Sequence, residues 1–341
     1  MEAKVHGTFV SEKINKVRWK PEYLIESESF VTGSWDNETN QLVYWLYTTQ
    51  EEDDPDMYPC QAASLPHEGD VTELKFINDN AFVAASSLGF VKLYKLDVNA
   101  PSIRETMSWD NAHFFEFGAV SSCTGLACFE EDIATVGEDG RLILLTARRK
   151  QPVTRIERAD SCSLRCVCFL KHNEVLTGNL RGQMKVWDVK SSVDKPVSNF
   201  MLSGEQVGAS CVTHHPTQRH LVLAGGEDGS LTVWDLRHNT FPVTLLSAHS
   251  DTVAELQFHP ERPEHVFTCS TSGEVWHWDT SSMSRTDENP WLSTDASKHR
   301  LEVFTLMPPL HKPVNSLDIN KNKVVCGCDN EAVYVFKNVM L

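Results

Sequence analysis

Residues able to do chemistry are plentiful in this chain, but few are spaced as a reaction would need. His249, Thr268, Ser272 and Trp278 fall within one stretch, and Asp228 and Trp234 within another. Such mixtures of hydroxyl, imidazole and carboxylate superficially suggest a hydrolytic triad. They recur, however, in step with a strand pattern described below, which is how hydrogen-bonded interiors of repeated units behave. The set is ragged: Ser272 stands where such units usually place an aspartate, and Ala224 where they place a serine or threonine. The ten cysteines include two pairs two residues apart, Cys166 with Cys168 and Cys326 with Cys328. On strands each pair points to one face. A structural metal site would want Cys-x-x-Cys knuckles answered by a second pair, and there are none, so the thiols read as small buried apolar groups. His214 and His215 are adjacent and, on a regular strand, face opposite ways, which prevents joint ligation. Neither a phosphate-binding Gly-x-x-x-x-Gly-Lys-Ser/Thr loop nor a dinucleotide fingerprint is present. Arg148-Arg149-Lys150 is the one basic cluster and lacks the interleaved aromatics that stack bases. No residue is assigned to catalysis, to a cofactor or to a metal.

The elements that carry these residues are set by repetition. The clearest unit is Gly225-Gly226-Glu227-Asp228-Gly229-Ser230-Leu231-Thr232-Val233-Trp234-Asp235, a polar glycine-bearing turn followed by alternating apolar residues. Copies lie at 177–188 and 268–279, and weaker ones at 135–145, 84–94 and 325–336, with a longer first copy at 32–45. Their anchors are Trp45, Tyr94, Leu145, Trp187, Trp234, Trp278 and Phe336, at intervals of 49, 51, 42, 47, 44 and 58 residues. Another short alternating strand precedes each copy, as at 71–76, 164–169, 253–258 and 314–319. Two of these end in a His-Pro turn, at His215-Pro216 and His259-Pro260, where proline stops the ladder. The glycines are read as hairpin-turn residues, where positive φ is needed. No stretch keeps a helical apolar period, so the fold class is all-β, and seven copies near this period specify a seven-bladed WD-repeat β-propeller filling residues 1–341 as one domain. Residues 8–10 are left over as a strand, which is assigned to the outside of the last blade beside 332–336. Residues 339–341 compete for the same place.

Lys and Arg number 31 against 47 Asp and Glu, a formal charge of −16, and 41% of the 341 residues are apolar. That composition supports a packed core and disfavours nonspecific contact with nucleic-acid phosphates or anionic lipid. No apolar run reaches the ~20 residues of a membrane-spanning helix, and the first residues carry no secretory leader, so the expectation is a soluble intracellular protein. Three insertions stand out. Residues 48–59 hold Glu51, Glu52, Asp53, Asp54 and Asp56 and read as a polar loop. Residues 97–122 carry Trp109 and the run His113-Phe114-Phe115. Residues 280–299 carry Trp291-Leu292 in polar surroundings. The first and third leave their blades at equivalent positions and flank the ring closure. They make a candidate docking edge in which the acids steer a partner and Trp291 with Leu292 anchors it. The alternative is that Trp291 packs on its own blade.

Several stretches resemble a known family more closely than a generic propeller would. They are Phe9-Val10-Ser11-Glu12-Lys13-Ile14, Thr32-Gly33-Ser34-Trp35-Asp36-Asn37-Glu38, Thr135-Val136-Gly137-Glu138-Asp139-Gly140-Arg141, Trp276-His277-Trp278-Asp279 and Trp291-Leu292-Ser293-Thr294-Asp295. End to end, the chain resembles the WD-repeat nucleoporins of about forty-three kilodaltons in the Y-shaped scaffold complex of the nuclear pore, departing in a shorter loop after Asp279. The resemblance implies a non-catalytic scaffold subunit at the nuclear envelope that binds helical-solenoid nucleoporins of the same complex. It also implies a part in pore assembly, in nucleocytoplasmic transport of RNA and protein, and at kinetochores in mitosis. Small-molecule substrates, direct nucleic-acid binding and membrane insertion are not expected. A second resemblance is local. Trp234-Asp235-Leu236-Arg237 is similar to the Trp-Asp-x-Arg box of propellers that serve cullin-RING ubiquitin ligases as substrate receptors, which would set Arg237 against the ligase adaptor.

Overall fold

A computed structural model describes residues 4–22, 25–49, 57–190, 195–238, 240–281, 291 and 301–340. Within them the chain forms seven antiparallel four-stranded sheets. The innermost strands are Ile14–Trp19 (β2), Val71–Asn78 (β6), Cys123–Phe129 (β10), Leu164–Lys171 (β14), Ala209–His214 (β18), Val253–Phe258 (β22) and Val314–Asn320 (β26). Each inner strand contacts the next, and β26 contacts β2, so the sheets close into a seven-bladed propeller. All seven anchors read from the sequence, Trp45 through Phe336, lie on the third strand of their blade. The second strands are buried along their whole length in blades one, five, six and seven, because a neighbouring blade covers each face. The apolar core is divided accordingly into clusters that each span one seam. One joins Ala127, Ala134 and Val136 of blade three to Trp187 of blade four, and another joins Trp45 and Tyr47 of blade one to Val325 and Val335 of blade seven.

The ring closes through a strand supplied by the other end of the chain. Lys4–Phe9 (β1) pairs antiparallel with Ala332–Lys337 (β28), with Thr8 opposite Val333 and Phe9 opposite Ala332. Outside β28, Val339 and Met340 turn inward instead, donating their N–H groups to the backbone and side-chain oxygens of Asn322 and packing into the seam between blades six and seven.

One irregularity repeats in all seven blades. Every inner strand carries a register shift just after its first residue, leaving one extra residue: Asn15, Thr72, Thr124, Arg165, Ser210, Ala254 and Asn315. Such a bulge re-aims the side chain it carries. In five blades that side chain donates a hydrogen bond to the carbonyl of the first inner-strand residue of the next blade. The pairs are Asn15 to Val71 (2.7 Å), Thr72 to Cys123 (2.5 Å), Thr124 to Leu164 (2.5 Å), Ser210 to Val253 (2.7 Å) and Asn315 to Ile14 (3.0 Å). The ring is thus laced around its own axis, except where Ala254 has nothing to donate and Arg165 points elsewhere.

The glycine expectation needs correction. Gly69, Gly89, Gly140, Gly182, Gly229 and Gly273 do sit in turns at positive φ. Gly33, Gly178, Gly225 and Gly327 instead lie within second strands. A Cβ on Gly33 would fall 2.4 Å from Val71 Cγ1, and one on Gly327 2.4 Å from Ile14 Cγ2. These glycines exist because the inner strand of the next blade comes that close.

Candidate docking site

The sets that mimic a hydrolytic triad are tied up inside blades. In blade six Thr268 Oγ1 lies 2.8 Å from His249 Nε2 and accepts from Trp278 Nε1 at 2.9 Å. The carboxylate comes from Glu274, 3.1 Å from His249 Nδ1, with Ser272 donating to it at 2.8 Å. Glu274 was not singled out in the sequence, since it sits two residues beyond the usual position; its longer side chain covers the difference. Burial holds the His249 ring below its usual pKa, against the pull of Glu274. Blade three contains a set that sequence reading missed altogether. His113, taken there for part of an aromatic loop, places Nε2 3.1 Å from Thr135 Oγ1 and Nδ1 3.0 Å from Asp139. Trp187 and Trp45 reach Thr177 and Thr32 in the same manner. In blade five, with Ala224 in the hydroxyl position, Trp234 donates to the Leu202 carbonyl instead. The two His-Pro turns are likewise structural. Nδ1 of His259 accepts from the Glu261 and Arg262 N–H groups and Nε2 bonds the Lys321 carbonyl, while His215 Nδ1 accepts from Thr217 and Gln218. His215, buried beside two other histidines, is pushed down to about 4.

Six of the ten thiols are buried, whereas Cys60, Cys128, Cys162 and Cys211 are only partly so. Cys166 and Cys168 share one cluster and Cys326 and Cys328 another. Burial raises the Cys166, Cys269 and Cys326 thiols well above their ordinary pKa, which removes nucleophilic character.

The axial channel holds a cavity of about 950 Å³. Its two sides differ. Blades six, seven, one and two project long charged groups. Arg18 forms a fork with Glu255 at 2.5 and 3.1 Å, Lys16 pairs with Glu73 at 2.9 Å, and Lys75 lies 3.6 Å from Glu255. Ser316 Oγ and Leu317 N also donate to Glu255, at 2.7 and 3.2 Å. Burial alone would raise the Glu255 carboxyl, but Arg18, Lys16 and Lys75 hold it far below the carboxylate range. Asp318, buried nearby, is pushed up to about 6 despite Arg18. Blades three, four and five line the other side with Gly125, Ala127, Cys166, Cys168, Cys211 and Thr213. Lys16, Arg18 and Lys75 are paired with Glu73 and Glu255, while burial raises the thiols of Cys166, Cys168 and Cys211 on the opposite wall.

Residues 195–235 match the WD domain, G-beta repeat. The chain is 38% identical to nucleoporin Nup43 of Homo sapiens and 37% identical to that of Mus musculus, each alignment covering 98% of this chain and 99% of the relative. It is 23% identical to the nuclear pore complex protein NUP43 of Arabidopsis thaliana over 97% of both. The chain belongs to the Nup43 family of nucleoporins.

Trp291 is only 5% exposed, edge-on to Phe258 at 6.1 Å in the seam between blades five and six. The docking-anchor expectation for Trp291 is corrected accordingly: the indole packs into the core between the two blades and has little face left for a partner. Leu292 and Glu51, Glu52, Asp53 and Asp54 lie outside the described residues. The expected loop at 48–59 is shorter than read, because the third strand of blade one runs through Asn40–Thr49 and its fourth strand begins at Met57, pairing Thr48 with Tyr58. Arg237 is bonded back onto its own turn, with Nε 2.9 Å from Asp235 Oδ1 and Nη2 2.5 Å from Oδ2. That is the geometry of a strand-end cap. Trp109 is buried between blades two and three. Phe117, which sequence reading passed over, is 98% exposed.

Proposed function

We propose that the chain is a non-catalytic scaffold subunit of the nuclear pore, acting as a protein-docking platform in its Y-shaped complex. The observation that carries this is the alignment with Nup43 nucleoporins over nearly the whole of both chains. The geometry supports it: the hydroxyl, imidazole and carboxylate groups that could have done chemistry are bonded inside blades, and the ring is fastened seam by seam. On this reading the whole chain works as one propeller at the nuclear envelope, its partners are the helical-solenoid nucleoporins of the complex, and its service extends to pore assembly, to RNA and protein transport, and to kinetochores. On the same reading the acidic stretch Glu51–Asp54 steers partners and Leu292 contacts them. The test is affinity purification of the tagged full chain together with its localisation in cells. Scaffold nucleoporins in stoichiometric yield and a nuclear-rim signal are expected. A cullin and its adaptor in their place, lost on Arg237→Ala, would overturn the scaffold reading in favour of a ligase receptor.

A further inference from the structure

The insertion between blades two and three ends in a small hairpin that the blade sets do not explain. Phe114 and Val120 form an isolated antiparallel bridge, Phe115 N–H donates to Ala119 O at 2.8 Å, and Gly118 N–H donates back to Phe115 O at 2.8 Å. Gly118 takes positive φ (77°) to make the turn. Its base is pinned to blade three. Asp139 accepts from Phe114 N–H at 3.1 Å, Arg141 donates to the Phe114 carbonyl, and the Arg141 guanidinium lies 4.0 Å over the Phe114 ring. A second pin comes from blade two, where His113 N–H donates to Gly89 O at 2.9 Å. At the tip of this braced turn stands Phe117, almost wholly in water, with Phe115, Val120 and Leu88 also exposed around it. Burying an apolar ring is favourable, so a held phenyl ring that is 98% exposed is an unused store of binding energy. Pinning matters equally, because an ordered loop has little conformational entropy left to lose on association.

The surroundings indicate what covers it. The hairpin lies on the face formed by the second-to-third-strand turns and the blade-to-blade connections, and that face is acidic, with Asp36, Glu138 and Glu227 in the turns and Glu68, Glu205 and Asp251 in the connections. The cations nearby are mostly committed: Lys13 to Asp36, Arg158 to Glu116 and Arg141 to Asp139 and Glu157. Arg181 and Lys312 are too few to balance the acids. We infer that the Phe114–Val120 hairpin is a docking anchor whose Phe117 ring enters an apolar pocket on a basic surface of a partner nucleoporin. Aromatic anchors ringed by charge are the usual energetic centre of such contacts, and the acidic face steers the basic partner. The inference rests on the scaffold reading above and names where one contact of that scaffold lies.

The experiment uses the full chain and the rest of the scaffold complex reconstituted without it. Wild type, Phe117→Ala and Phe117→Leu are titrated by a labelled-binding assay at two salt concentrations, with melting temperature and sedimentation recorded for each. Expected are at least a tenfold loss of affinity for Phe117→Ala, a smaller loss for Phe117→Leu, weaker binding at higher salt, and unchanged melting. Binding by the wild type with no loss in Phe117→Ala overturns the anchor and leaves the scaffold reading intact. Absence of wild-type binding overturns both. A wild-type dimer that Phe117→Ala dissociates, with the complex still bound, would also overturn it by making a second copy the occupant.

Discussion

The two sides of the axial channel were built from the same strand, repeated, with opposite results. In blades six, seven, one and two, the positions after the bulge hold Glu255, Ser316, Lys16 and Glu73, then Gln257, Asp318, Arg18 and Lys75. In blades three to five they hold Gly125, Cys166 and Cys211, then Ala127, Cys168 and Thr213. Backbone geometry is shared, so side-chain length and charge alone decide that one side is filled by a network of ion pairs and the other opens into the cavity. The charged side is costly to dismantle because each buried ion is balanced only by its partners. The small side has little to lose.

That contrast is sharpest at Glu255, the acid shared by Arg18, Lys75, Ser316 and the Leu317 amide. Glu255→Ala strips the buried Arg18 of its bidentate partner, leaving it Glu73 at 3.6 Å, and should cost about 3–5 kcal/mol in chemical denaturation. Cys168→Ala, beside the cavity, should cost about 1 kcal/mol or less. Equal losses would break the comparison.

Within the charged side, Glu255 and Asp318 should respond to pH with opposite sign. Glu255 is held below its free value, so its contribution is present above the unfolded pKa of 4.5 and is lost as pH falls. Asp318 titrates at about 6 against 3.8 when free, so the folded chain binds that proton more tightly. Its ionisation is a burden that is absent below pH 4, grows between 4 and 6, and is complete at 7. Asp318→Asn should therefore raise stability at pH 7 by about 1–2 kcal/mol, after allowance for partial solvent contact, and by nothing at pH 4. An advantage that persists in acid would show that Asp318 acts through packing instead.

The smallest effect separates the two sides at the bulge itself. Asn15→Ala removes a hydrogen bond to the next blade and should cost about 1 kcal/mol. Arg165 sits in the equivalent place on the small side with Nε buried and unbonded, so Arg165→Ala should change the melting temperature little or raise it. A matched pair of thermal scans settles the difference.

The repeat was legible because anchors such as Trp187 and Trp234 and turns such as Glu227-Asp228-Gly229 are local signals within one hairpin. The same holds for the His-Pro turns, where the ring and the N–H groups that donate to it lie within three residues. What escaped was between blades. Gly33 is explained by Val71, and Gly327 by Ile14 at the far end of the chain, distances in sequence at which no short pattern speaks. Asn15 and Thr72 gave no hint that a bulge turns both toward a neighbour's carbonyl. The docking residues were harder still. Trp291 looked like an exposed anchor because its neighbours in sequence are polar, although its neighbours in space are Phe258 and the blade-five core. Phe117 looked ordinary because nothing local tells an aromatic in a turn whether a core is within reach.

The pairing of β1 with β28 sets a timetable. Lys4 lies opposite Lys337, so the first strand to leave the ribosome must wait for almost the last. At typical elongation rates of roughly 5–20 residues per second, that wait is on the order of 20–60 s. Throughout it both strand edges are unpaired and able to join another nascent chain. Six blades can zip up from contacts near in sequence, whereas the seventh is a contact of the highest order the chain possesses and completes last. Ring closure is thus the step at which a crowded polysome can exchange one copy's β1 for another's.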